Sequence, residues 1–361
     1  MKLANLDSLR AIAALIVVFF HLNGEHPAIL PKLASFGWIG VDLFFVISGA
    51  VIAFSAEALY GNGEAGWKWK YAVRRFSRIY PLFFISSVIF LVVSPDFWRQ
   101  PNSQVVVQIL THLTMTHSFS PTAFQGLNHV TWSLAIEVQY YILIALVITQ
   151  IRQAPTIVIL GVALLIAFAW NSYVRSVFPG DEPITHFYLS QLPGRIDEFA
   201  WGIVIWRLWK TDPLRKFSAS NEWLRTGVGC LTIIVGLSIF LSWIAAVSGQ
   251  SNIMATFGLL IHKALGDTGV RILIGALCGL VVFGATLLPE CRFPNPIESL
   301  GTISYGLYLW HPIAIILAGR FFATGIIGIL APLGLTLVLS IASWNVIEVR
   351  SRRWLSKQLL N

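Results

Sequence analysis

Ten apolar runs of membrane-spanning length follow one another along this 361-residue chain. They fall near 4–23, 37–56, 79–95, 132–150, 155–173, 192–209, 227–247, 269–288, 300–319 and 327–347. A helix of roughly 20 such residues covers a hydrocarbon core about 30 Å thick. In lipid a backbone must satisfy its own polar groups, so these runs are read as helices. Composition agrees: 12% of the residues are charged and 56% hydrophobic, where a soluble domain runs near 25% charged. The expectation is an all-α polytopic membrane protein of about ten transmembrane helices, one integral-membrane domain over 1–361 with no fused soluble domain. Fourteen Trp suit interfacial belts. Gln104–Met115 is too short and too polar to cross, and reads as an interfacial or re-entrant helix in the loop 96–131. The first run is expected to be a retained span, because Asp7, Ser8 and Arg10 interrupt it where a cleavable signal core is unbroken.

An even number of spans puts both termini on one side, and positive charge says which. One set of loops holds Lys2, Lys68, Lys70, Arg74, Arg75, Arg78, Arg152, Arg207, Lys210, Arg215, Lys216, Arg225, Arg292, Arg350, Arg352, Arg353 and Lys357. The other holds Lys32, Arg99, Arg175, Lys263 and Arg320. Seventeen against five predicts cytoplasmic termini in a bacterial plasma membrane. The net charge of +8 is therefore topological and does not point to nucleic acid. Its cytoplasmic clusters suit anionic membrane lipid or a phosphorylated substrate. Cys230, Cys278 and Cys291 have no paired or ligand spacing and read as packing residues. Gly61–Gly66 spells a dinucleotide fingerprint, but without a strand before it the match is a coincidence.

Polar residues inside apolar runs are expensive, and each is a functional candidate by default. Arg10 and His21 stand eleven residues apart in the first run. Eleven steps of about 100° return a helix nearly to the same azimuth, so the two share one face, roughly 16 Å apart along the axis. On the expected topology His21, Asp42, Glu137, Arg195, Asp197 and Glu198 converge on the outer third of the bilayer, with His311 just below. Such a layer permits acid–base chemistry, in which a histidine held by a carboxylate takes a proton from a hydroxyl. Asp42 or Glu137 would be the orienting partner. Asp7 and Arg10, at i and i+3, read as an ion pair, and Arg195 with Asp197 or Glu198 reads equally well as an ion pair or as part of a site. No metal-ligand spacing occurs, so no metal is expected. Ser48 and Ser133 lack a nucleophile-elbow context and read as packing residues. Arg10 lies in the cytoplasmic half below His21, and Arg75 and Arg78 close a cytoplasmic loop before Tyr80-Pro81. Their planar forks suit the phosphates of a donor entering from inside.

In order from Leu6 to Trp354, these residues resemble the membrane-bound acyltransferase-3 family. Arg10 and His21 reproduce its first-helix pattern, and Gly40-Val-Asp-Leu-Phe-Phe-Val-Ile-Ser-Gly49 its second helix. Arg75-Phe-Ser-Arg78-Ile-Tyr-Pro, Trp132-Ser-Leu-Ala-Ile-Glu137, Arg195-Ile-Asp-Glu-Phe199 and Ser304-Tyr-Gly-Leu-Tyr-Leu-Trp-His-Pro312 follow, and Ile347-Glu348 fits the terminal pattern. The family often carries a second acid where Val138 stands, and a Glu-Lys/Arg-Pro tail where this chain reads Glu348-Val-Arg. The resemblance implies transfer of an acyl group, most commonly acetyl, from cytoplasmic acyl-CoA across the membrane to a hydroxyl of a cell-envelope or exported glycan, extracytoplasmic or lipid-linked. It implies that His21 is the catalytic base, that Arg10, Arg75 and Arg78 are essential, and that acyl-CoA is a co-substrate with no further cofactor. Asp42 and Glu137 are the candidate assisting acids. Arg195, Glu198 and His311 join Arg10, Arg75 and Arg78 as candidate substrate-binding residues. The alternative is a transporter or flippase whose charged layer is a substrate or proton path.

Overall fold

A computed structural model describes residues 4–63, 65–211, 222–289, 296–322 and 324–360. Lys2, Arg215, Lys216, Cys291, Arg292 and the Glu64 of the glycine-rich string lie outside the described residues. Every regular element among the described residues is helical. In chain order these are α1 (Ala4–Glu25), α2 (Ile39–Gly61), α3 (Trp67–Val93), α4 (Asn102–Leu113), α5 (Trp132–Gln153), α6 (Thr156–Val177) and α7 (Glu182–Leu189). They continue with α8 (Leu192–Thr211), α9 (Glu222–Val247), α10 (Ile253–Leu287), α11 (Pro296–Thr302), α12 (Ser304–Gly319), α13 (Ile327–Ser343) and α14 (Val349–Leu360).

Eight helices among the described residues are long and apolar enough to cross a membrane, nine if α11 and α12, bent by 75°, form one span. The tenth expected span is α8, and it falls short on composition rather than length. Its 20 residues carry Arg195, Asp197, Glu198, Arg207 and Lys210. The interfacial segment expected within 96–131 is α4, and Met115 ends it in a left-handed turn at φ 55°. Large apolar side chains point outward along the spans, as Val92, Leu146, Ile157 and Leu165 do at 80%, 63%, 74% and 68% exposure. In water that surface would demand a partner; around a spanning helix, acyl chains cover it. The chain is a multi-pass membrane protein.

The helices sort into two compact units that interleave along the chain. Unit 1 comprises 1–13, 38–54 and 149–301; unit 2 comprises 14–37, 55–148 and 302–361. In unit 1, α2 and α8 approach so closely that a Cβ at Gly49 would meet the Phe199 carbonyl, and one at Gly202 would meet the Val46 carbonyl. Small residues at such crossings let lipid-embedded backbones touch where no hydrophobic driving force separates protein from solvent. The closely packed crossing carries Arg195, Asp197 and Glu198 of α8 and Asp42 of α2 into one buried place. In unit 2, α12 packs beside α13 and α3. Pro312, inside α12, lacks the N–H that would close the helical turn on the Tyr308 carbonyl.

Candidate functional site

The polar residues of the spans gather into separate sets, one in unit 1 and two in unit 2. In unit 1, Asp42 accepts a hydrogen bond of 2.6 Å from Arg195, which also reaches Glu198 at 3.2 Å. Arg271 of α10 pairs with Glu198 and lies 3.7 Å from Asp197. Three carboxylates and two guanidiniums thus tie α2, α8 and α10 together, with the acids fully buried. Desolvation offsets much of the attraction in such a network, but removing one member leaves an uncompensated buried charge. Arg271 had no motif to announce it. Asp7 and Arg10 pair at 2.9 Å, as their spacing suggested.

The first set in unit 2 is built from imidazoles. His21, near the C-terminal end of α1, has its ring 4.8 Å from that of His129 and 4.9 Å from that of His311. His129 opens the turn that leads into α5. His21 Nδ1 lies 3.0 Å from the Val17 carbonyl oxygen and 3.1 Å from Nε2 of His311. His311 is fully buried, and its Nδ1 lies 3.2 Å from the Leu307 carbonyl oxygen. His21, His129 and Pro312 line a cavity of about 330 Å³ together with Phe20, Ile315 and Ile316. Among the described residues no three His, Cys, Asp or Glu side chains are arranged to hold one metal ion. Of the three rings, His21 and His311 share a hydrogen bond, and His21 and His129 face the cavity.

The second set in unit 2 surrounds Arg75, which is buried between two aromatic faces. Its guanidinium carbon stands 5.6 Å from the ring centre of Tyr71 and 5.6 Å from that of Tyr141. Stacking of this kind holds a guanidinium in one plane without consuming its donors in an ion pair, and Arg75 Nε has no partner among the described residues. The Tyr141 hydroxyl donates to Glu137 at 2.7 Å. Lys68, Tyr71, Arg75 and Tyr141 line a second cavity of about 210 Å³, walled otherwise by apolar side chains such as Ile79 and Ile142. Arg78 acts electrostatically on Tyr141, Glu348 and Arg352. Arg352 in turn pairs with Glu348 at 3.0 Å and lies 5.0 Å over the Trp344 ring. Trp344–Glu348 is a π-helical turn, a feature frequent where a helix adjusts to place a side chain.

Of the residues expected in one layer, the structure brings Asp42, Arg195, Asp197 and Glu198 together, and brings His21 to His311. Glu137 sits beside Tyr141, and Arg75 neighbours both through that tyrosine. The hydrogen-bond partner on His21 is another imidazole, while Asp42 and Glu137 serve Arg195 and Tyr141. His129, Tyr71 and Tyr141 were not singled out in the sequence. Only helical spacing hints at the last two, since Tyr71 precedes Arg75 by four and Tyr141 follows Glu137 by four. Ser133 bonds the Val130 carbonyl and the Tyr308 hydroxyl, in keeping with a packing role.

The chain is similar to the peptidoglycan O-acetyltransferase OatA of Listeria monocytogenes, at 25% identity over 85% of this chain and 48% of that protein. It is similar also to the O-acetyltransferase OatA of Staphylococcus aureus strain NCTC 8325, at 26% identity over 97% of this chain and 57% of that protein. The chain thus spans about half the length of these relatives. No solved structure matches it. The family model for the acyltransferase domain matches residues 3–345, nearly the whole of the described helices and both polar sets of unit 2 up to Asn345, and the chain belongs to that acyltransferase family.

Proposed function

We propose that this protein transfers an acetyl group from cytoplasmic acyl-CoA to a hydroxyl of a cell-wall glycan on the far side of the membrane. The observation that carries this reading is the His21 set, in which His21 lines a cavity and is hydrogen-bonded to the buried His311, in a chain of the acyltransferase family. Peptidoglycan is the acceptor class favoured, because the Listeria relative bears that name.

The two cavities of unit 2 divide the work. Arg75, aided by Lys68 and Arg78, would hold the phosphates of the donor's nucleotide end, where bidentate guanidinium contacts are strongest. Tyr141 stands twelve residues beyond His129, roughly 18 Å at helical rise. A long, flexible thioester arm anchored at Arg75 would reach along α5 toward His21. There the His21 imidazole takes the proton of the acceptor hydroxyl as its oxygen attacks the thioester carbonyl carbon. The carbon–sulfur bond breaks, and the departing thiolate receives that proton, leaving an ester and free CoA thiol. A variant in which His21 first carries the acyl group itself uses the same residues in two steps.

The test is His21→Ala and His21→Asn in the full chain. Loss of a general base costs a factor of roughly 10² to 10⁴ in rate. Both variants should insert and still bind acetyl-CoA by calorimetry, while mass spectrometry of cell-wall glycans finds their acetate gone. Wild-type acetate in either variant would sink the assignment. Loss of expression in both would make His21 a structural residue instead.

A further inference from the structure

His21 and His311 hold each other in one protonation pattern, and backbone carbonyls dictate which. A carbonyl oxygen accepts and never donates, so a ring nitrogen facing one must carry its hydrogen. The Leu307 carbonyl, 3.2 Å from His311 Nδ1, puts the His311 proton on Nδ1 and leaves its Nε2 bare. Pro312, next in the chain, has no N–H to offer the Tyr308 carbonyl, which also acts on the His311 ring. The Val17 carbonyl, 3.0 Å from His21 Nδ1, puts a proton there in the same way. The bare Nε2 of His311, 3.1 Å away, then meets that N–H as a second acceptor. The reverse pattern would set lone pair against lone pair at both carbonyls.

We propose that His311 is a positioning residue for His21: by accepting the Nδ1 proton it fixes the imidazole tautomer whose bare nitrogen is Nε2, on a ring that lines the 330 Å³ cavity. The task usually performed by a buried carboxylate is performed here by a neutral imidazole. The titratable groups near this pair include His129, from the turn before α5, Tyr308, one turn before His311 on α12, and Glu25, which lines the same cavity as His21. The Val17 carbonyl already receives a helical N–H, so alone it holds the tautomer less firmly.

The inference rests on His21 being the base, and its test separates the two. Full-length protein with ¹⁵N-labelled histidine, in lipid, is read by solid-state NMR, with His21 assigned by its absence in His21→Asn. The expected wild-type signal has Nδ1 protonated and Nε2 bare. In His311→Leu the Nε2–H tautomer should appear, and kcat should fall about tenfold to a hundredfold with the KM for acetyl-CoA unchanged. In His311→Gln the side-chain oxygen can accept the same proton, so tautomer and kcat should largely return. A bare Nδ1 on wild-type His21 would overturn the inference, and that measurement stands even if His311→Leu fails to fold. So would an unchanged tautomer and kcat in His311→Leu. An active His21→Ala would instead defeat the catalytic reading, whatever the tautomer.

Discussion

At the scale of single residues, chemistry is decided by what holds a side chain still. Arg75 is held by two tyrosine faces rather than by an acid, and it lines a cavity whose other walls are mostly apolar. Lysine there would keep the charge but lose both the planar stacking and the fork. Arg75→Lys is therefore expected to weaken acetyl-CoA binding about tenfold, a loss of roughly 1.4 kcal/mol, with insertion unchanged; titration calorimetry on purified protein measures it. Binding equal to wild type would reduce Arg75 to a topological anchor. Arg195 and Arg271 are the contrasting case. They pair with the buried acids Asp42 and Glu198, which suits them to fastening helices.

At the scale of elements, α4 and the turns after it form a support for the imidazole site. The rings of His112 and His117 stack at 4.0 Å, and the Phe83 ring lies parallel to both. His117 Nε2 lies 3.1 Å from the Thr131 carbonyl oxygen, two residues past His129. Burial pushes His112 down to about 3, helped by the charge of its neighbour, and burial pushes His117 down to about 4. Folded, both bind fewer protons than unfolded histidines, whose ordinary value is near 6.5. Their stabilising contribution is thus full above that value and is lost as pH falls toward 4. By pH 5 the loss is on the order of 1–2 kcal/mol per histidine. Hydrogen exchange across 102–131, corrected for its chemical rate, should quicken between pH 7 and pH 5, and a double variant, His112→Phe with His117→Phe, should markedly weaken that dependence. An equal pH response in the double variant would assign it elsewhere.

At the scale of the whole molecule, the distribution of Lys and Arg between loops proposes cytoplasmic termini. Reporter tags at Gly63 should then report the cytoplasm, and tags at Gln125 and Gly249 the outside. A cytoplasmic signal at Gln125 would invert the path proposed from the Arg75 cavity to His21. The charges of α8 make this measurement informative, because that helix is 20 residues long yet the least apolar of the expected spans.

The helices and the membrane were legible in the sequence, because a backbone in lipid has one common way to satisfy itself and twenty apolar residues announce it. So were the individual candidates, since a charge or imidazole in such a run is costly enough to stand out. The i, i+3 pair of Asp7 with Arg10 could be read directly, being a property of one helix. Which candidates meet was not legible. Shared depth suggested one layer, but azimuth decides contact, and azimuth between helices is set by close approaches such as Gly49 and Gly202 against their neighbours. Only the tertiary structure therefore gave Asp42 to Arg195, drew in Arg271, and set an imidazole rather than a carboxylate against His21. Periodicity specifies a helix and its faces; the partner of each face is a matter of packing between segments far apart in the chain.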